Sequence, residues 1–299
     1  MSKAKHNSLS PKLGLFDAIN YFILFLLAII TIFPLYYVVI VSLATQADIQ
    51  KHLIYILPYS INFDAYAFVF KNDMIYSATF VSIFITLAGT FLSMLISTAA
   101  GYTLSKKRIP GSKIMFAFVV IPLFFTGGLI PNYLTIKSYG LINNIFVLIL
   151  PSLINTFYLI LIKNFFEEIP ASIEESAKID GANDIIVLYK IVLPMAAPII
   201  ATMSLFYAVD KWNDYFSALL YISNDRLKPL QLVLRQVLVD YTTVTSSAIG
   251  ASIAASTSPI YQLSLQMAII VVATIPIFIV YPFLQKYFAK GIIVGAVKE

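Results

Sequence analysis

Charged side chains set inside an apolar run are the residues of this sequence best placed to do chemistry. Asp210, Lys211 and Asp214 lie in the stretch 196–221, which is otherwise apolar enough for a lipid environment. A charge there costs ~2.5–3.5 kcal/mol on insertion scales, so it faces a cavity or a partner. On a continuous helix Tyr207, Asp210, Asp214 and Ser217 share one face. Carboxylates and a phenol on one face suit a polyhydroxylated ligand, whose C–H faces pack on flat rings. Two other readings stay open: the carboxylates as cation ligands, or Lys211 and Asp214, at i,i+3, as an ion pair securing helix packing. Trp212 and Asn213 belong to the same stretch, either as ligand contacts or as packing residues. Asn132, Tyr133, Asn155 and Tyr158 are further candidates for a cavity wall. There is no cysteine, and both histidines, His6 and His52, fall in polar segments, so no thiolate or histidine metal centre is expected.

The elements that must position these residues are membrane spans. Of the 299 residues 60% are hydrophobic and 12% charged, with mean hydropathy +0.87. Soluble domains carry roughly 25% charged residues. The net charge of +5 sits in short clusters between apolar runs rather than in a nucleic-acid-binding patch. A spanning helix needs about 20 apolar residues. Six stretches qualify: 19–43, 78–104, 114–133, 145–165, 196–221 and 263–288. The first is too long for the core of a cleaved signal and reads as a retained anchor, kinked near Pro34. With Lys163 and Lys286, at the ends of the fourth and sixth stretches, counted to the adjoining connections, Lys and Arg number 13 in alternate connections beginning at the N-terminus and 6 in the others. That bias predicts both termini in the cytoplasm. The expected fold is an all-α integral membrane protein: a cytoplasmic segment 1–18, a six-helix domain 19–288 and a cytoplasmic tail 289–299.

The loop 165–195 is the most informative segment. Phe165-Phe166-Glu167-Glu168-Ile169-Pro170 leads into a short acidic helix, then a break and a second helix. Ser172 and Glu175 have capping-box spacing, and Gly181 suits a helix stop at positive φ. Ile173, Ala177 and Ile179 give an apolar stripe, with Glu174 and Lys178 at i,i+4 on the surface. The order Glu175-Ser176-Ala177, three residues, Gly181, nine residues, Ile191-Val192-Leu193-Pro194 resembles the EAA loop of binding-protein-dependent ABC importer permeases. Only the middle alanine departs, becoming Ser176.

The resemblance implies a type I ABC importer permease fold. It also implies a coupling helix, carried by Glu174, Glu175, Ser176, Ala177, Ile179, Asp180, Gly181 and Ala182, that sits in a groove of a separate ATPase. The chain has no Gly-x-x-x-x-Gly-Lys-Ser/Thr loop, so ATP and magnesium are expected on the partner ATPase and no cofactor on this chain. Gly140-Leu141-Ile142-Asn143-Asn144, Trp212-Asn213-Asp214-Tyr215-Phe216 and the ending from Lys290 to Lys298 resemble the carbohydrate branch, of the maltose-transporter type. That branch implies a sugar substrate, a second homologous permease, an ATPase dimer, an extracellular solute-binding lipoprotein and a bacterial cell membrane location. The external loop 222–260, through Ser246, Ser247, Gly250 and Ser252, is implied to meet the binding protein. Gly291, Gly295 and Lys298 are implied to reach the ATPases. Two rival readings fit the same residues: a permease for a peptide or amino acid, and an ion-coupled transporter using Asp210 and Asp214. A membrane hydrolase lacks any Ser/His/Asp or metal-ligand cluster.

Overall fold

The computed structural model describes residues 14–51, 57–106, 108–239 and 262–296, and among these every regular element is helical. The chain divides into two units, Met1–Tyr66 with Ile260–Val271, and Ala67–Pro259 with Val272–Glu299.

In the first unit, α1 (Leu15–Ser42) is strongly apolar, with almost no buried surface over most of its length. An apolar helix with exposed flanks suits lipid contact. It runs through Pro34 as one helix. Only its last turn is packed, where Ile40 and Val41 meet Leu263 and Met267, and Ser264 donates to the carbonyl of Ala44 at 2.7 Å. After α2 (Gln46–Lys51), the hydroxyls of Ser60 and Thr45 bind Asp48 and hold its carboxyl below the usual carboxylate range. From there α3 (Asp64–Lys71) carries the chain onward.

The second unit is built on α4 (Asp73–Ser105), 33 residues without a break and so about 50 Å long. Its first turn is capped by Asn72, whose side chain accepts from the amides of Met74 and Ile75. The helices in broadest contact with α4 are α7 (Thr156–Glu167) and α11 (Ala197–Asn213). Between helices in lipid the hydrophobic effect gives little, and close approach through small residues does more. Gly89, Ser93, Ser97 and Gly101, each four residues after the last, are all buried on α4. A Cβ at Gly101 would lie 3.0 Å from Ile162 of α7, and one at Gly89 would lie 3.1 Å from the stem of Lys211 in α11.

Three of the expected spans are broken. The stretch 114–133 becomes α5 (Ser112–Phe124) and α6 (Leu129–Ser138), bent by 119°. Gly128, at φ 84° and ψ 175°, takes a conformation that glycine adopts far more readily than other residues. The fourth breaks by 47° between the 3-10 turns of Ile145–Ser152 and α7. Pro151 and the side-chain cap of Asn155 on the amides of Phe157 and Tyr158 account for it. Before the fifth, α8 (Ala171–Ile179), α9 (Asp184–Val187), a π-helical turn Leu188–Val192 and α10 (Leu193–Met195) lead to an 88° bend at Ala196. Beyond α11 come α12 (Phe216–Tyr221), α13 (Leu230–Val239) and α14 (Gln262–Ala296). Among the described residues, two helices are long and apolar enough to cross a membrane alone, and up to five spans result if each bent pair counts as one. The apolar part of α14 is Leu263–Ile279.

Candidate functional site

Irregular backbone in a membrane protein is tolerated where it is buried in protein or lines a cavity, and the break in the fourth stretch lies at a polar cavity. Residues 151–155 and the end of α11 enclose about 540 Å³, with polar groups from Ser152, Asn155, Tyr207, Asp210, Lys211, Asn213 and Asp214. Tyr207 is 1% exposed, and its hydroxyl lies 2.8 Å from Ser97 Oγ while accepting from the amide of Asn155 at 3.0 Å. Tyr158 stands edge-on to Tyr207, with ring centres 5.0 Å apart, and donates to Asp210 Oδ2 at 2.9 Å. Asp210 and Asn213 are exposed on the wall, and the Asn213 amide donates to the carbonyl of Val209.

Two details differ from a single continuous helix through 196–221. Among the described residues no ion pair joins Lys211 to Asp214. The buried Lys211 ammonium instead donates to the carbonyls of Ile149 (3.3 Å) and Ser152 (3.2 Å) and to Ser152 Oγ. Three donors meet three oxygens, which fastens α11 to the end of the 3-10 segment. Also, α11 ends at Asn213, and Asp214 is extended, its Oδ1 accepting from the amide of Ser217 to begin α12. The face 207–210–214–217 is therefore bent at Asp214. Ser152 and Ile149 carried no sequence signal beyond the neighbouring Pro151.

Not every candidate is brought to this cavity. Trp212 is buried, donates to the carbonyl of Ala273 at 3.2 Å, and lines a separate, largely apolar cavity of about 520 Å³ with Leu205, Phe206 and Pro276. Tyr133 stacks on Tyr221 with centres 5.9 Å apart, and Asn132 is exposed on α6 away from the wall. Ser246, Ser247, Gly250, Ser252 and Lys298 lie outside the described residues, while Gly291 and Gly295 fall within the backbone of α14.

The acidic loop forms the second locus. α8 ends in a Schellman arrangement: Gly181 at φ 87°, its amide on the carbonyl of Lys178, and the Ala182 amide on the carbonyl of Ala177. The Ser172–Glu175 capping box does not form, because the helix starts directly after Pro170 with no side-chain cap. Glu174 is not on the surface with Lys178. It is 7% exposed and takes the Lys106 ammonium and the Tyr102 hydroxyl, while Lys178 pairs with Asp184 at 2.5 Å. That lysine, hydrogen-bonded to it, holds the Asp184 carboxyl below the usual carboxylate range. Ala177 packs inward, as the stripe requires, and so does Ala182, but Ile179 of the stripe is 87% exposed. Glu175, Ser176, Ile179, Asp180 and Gly181 thus form an outward-facing edge.

A helical domain with apolar spans, one of them broken at a polar cavity, and a short helix presented on an outward edge fits a transport permease. The chain matches the family described as "Binding-protein-dependent transport system inner membrane component" over residues 100–294 and belongs to it. It is 44% identical, over 95% of its own length and 98% of the relative's, to the polygalacturonan/rhamnogalacturonan transport system permease protein YtcP of Bacillus subtilis (strain 168). Identity to Protein LplC of the same strain is 43%, over 98% of each. Among solved structures, a bacterial ABC transporter involved in the import of the acidic polysaccharide alginate matches with a TM-score of 0.86 and 33% identity, covering 93% of this chain and 98% of that one.

Proposed function

We propose that the chain is one permease subunit of an ATP-driven importer that moves a carbohydrate, an oligosaccharide delivered by an external binding protein, across a bacterial cell membrane. The observation that carries this reading is the outward edge of α8 closed by Gly181, within a chain of this family. A helix anchored on one face and exposed on the other suits docking to an ATPase dimer that supplies the energy. The sugar assignment rests on relatives named for polygalacturonan, rhamnogalacturonan and arabinooligosaccharide transport, and on a cavity wall of hydroxyl, amide and carboxylate groups. In this reading six spans cross the membrane with both termini cytoplasmic, each bent pair being one span and α14 the sixth. A second permease completes the path, and a solute-binding lipoprotein meets the external loop 222–260. The chain does no covalent chemistry, and alternating access follows from rocking of the helices as the ATPases close.

The test is affinity purification of the chain from native membranes in mild detergent, with mass spectrometry of what accompanies it. An ATPase, a second permease and a lipoprotein are expected. Recovery of the chain alone, under conditions that preserve known importers, would sink the assembly.

A further inference from the structure

Glu174 faces away from the exposed edge of α8, into the protein. Its carboxylate receives the ammonium of Lys106 and the hydroxyl of Tyr102 at 3.3 Å. Tyr102 and Lys106 are one turn apart at the C-terminal end of α4. The Lys106 ammonium also sits 4.2 Å from the centre of the Tyr102 ring, and that ring meets Phe166 of α7 edge-on at 6.4 Å. A buried charge pair with an added hydrogen bond has a defined direction, and losing either partner strands a charge in a poorly solvated place. The neighbouring link, Lys178 to Asp184 with Arg108 at 3.7 Å, is exposed on the Asp184 and Arg108 side and screened accordingly.

We propose that Glu174 is a positioning residue that locks α8 to the end of α4, so that the two move as one rigid piece and α4 delivers the displacement to the polar cavity. The inference rests on the importer reading above. The covalent route from α8 to the cavity passes a π-helical turn and the 88° bend at Ala196 before reaching α11. The route through α4 is a single unbroken helix. Along it Gly101 touches Ile162, Ser97 bonds Tyr207, and Gly89 lies against the stem of Lys211. Displacement at the α8 end therefore reaches two residues of the cavity wall, Tyr207 and Lys211, through direct contacts.

This chain has no cysteine of its own, so two can be introduced as label sites, with partners whose accessible cysteines are replaced. Ser172 on α8 and Thr103 on α4 are both exposed. Ser172→Cys with Thr103→Cys, spin-labelled in the complete importer in nanodiscs, should give one narrow distance that is the same without nucleotide and with ATP plus vanadate. Adding Glu174→Gln, or Lys106→Met as a second variant, should broaden that distance. Either should also lower ATP-driven uptake at least tenfold while ATP hydrolysis stays within twofold. Exchanging the charges, Glu174→Lys with Lys106→Glu, should recover at least a third of the uptake. A distance in the unsubstituted pair that shifts on trapping ATP would overturn the proposal, since α8 then moves apart from α4. So would uptake within twofold of normal in both single variants, or a folded complex that has merely released its ATPase. Failure of the importer reading is distinguishable, because the unsubstituted chain would then recruit no ATPase.

Discussion

At the scale of single residues, the cavity wall combines two carboxylates with an ammonium that is already spoken for. All three donors of Lys211 go to oxygens of Ile149 and Ser152. Lys211→Met leaves those oxygens without their donor, at about 1–3 kcal/mol for each buried group that stays unsatisfied. A lower melting temperature of the purified complex and loss of uptake are expected. Asp210 is different: it is exposed, and the Tyr158 hydroxyl donates to it. Asp210→Asn should leave the melting temperature within a degree or two and change substrate-stimulated ATP hydrolysis severalfold. Unaltered transport kinetics would remove Asp210 from the path. Asp184 yields a pH prediction. Its folded carboxyl titrates below the ordinary value because of Lys178, so its contribution is present above the unfolded pKa of about 3.9 and lost as pH falls through the folded one. Stability from this contact should be flat from pH 5 to 8, and Asp184→Asn should flatten the acid limb below about pH 4 in thermal melts.

At the scale of elements, α4 is the spine and its small-residue seam sets how closely α7 and α11 approach. The four-residue spacing of Gly89, Ser93, Ser97 and Gly101 is visible in the sequence, but which helix each would meet is not. Gly101→Leu forces a side chain against Ile162 Cγ2, which a Cβ alone would already approach to 3.0 Å. Overpacking of that kind costs about 1–3 kcal/mol, so a drop in melting temperature and in assembly with the second permease is expected. A variant of normal stability would mean that α7 can move away from α4 freely. The broken spans were legible only in part. Pro151, Pro194 and the Gly127-Gly128 pair mark positions where a helix falters, yet the size of each bend depends on what the segment packs against. The 119° turn between α5 and α6 is an example.

For the whole molecule, the energy source separates the two transport readings. Import driven by an ATPase should fall to background when ATP is depleted and persist when ion gradients are collapsed with an ionophore. Uptake by intact cells carrying this chain and its partners, measured under each condition, gives the answer. The reverse pattern would restore the ion-coupled reading of Asp210 and Asp214.

The sequence by itself determined that the chain lives in a membrane, because 60% hydrophobic residues in runs of about 20 leave no soluble alternative. It also determined the family, because the loop fixes residue types at two long spacings, and glycine at 181 is demanded by a backbone at positive φ. Partners across space were decided by the tertiary structure alone. Glu174 stands four residues before Lys178 and reads as its surface partner, yet it turns inward to Lys106, 68 residues away in sequence. Lys211 and Asp214 have pair spacing, yet Lys211 reaches carbonyls of a segment about 60 residues earlier. The reason is physical: spacing along one helix fixes which side chains share a face, while burial fixes which of them must find a charge or a dipole. A buried ammonium takes the nearest oxygens that the fold supplies.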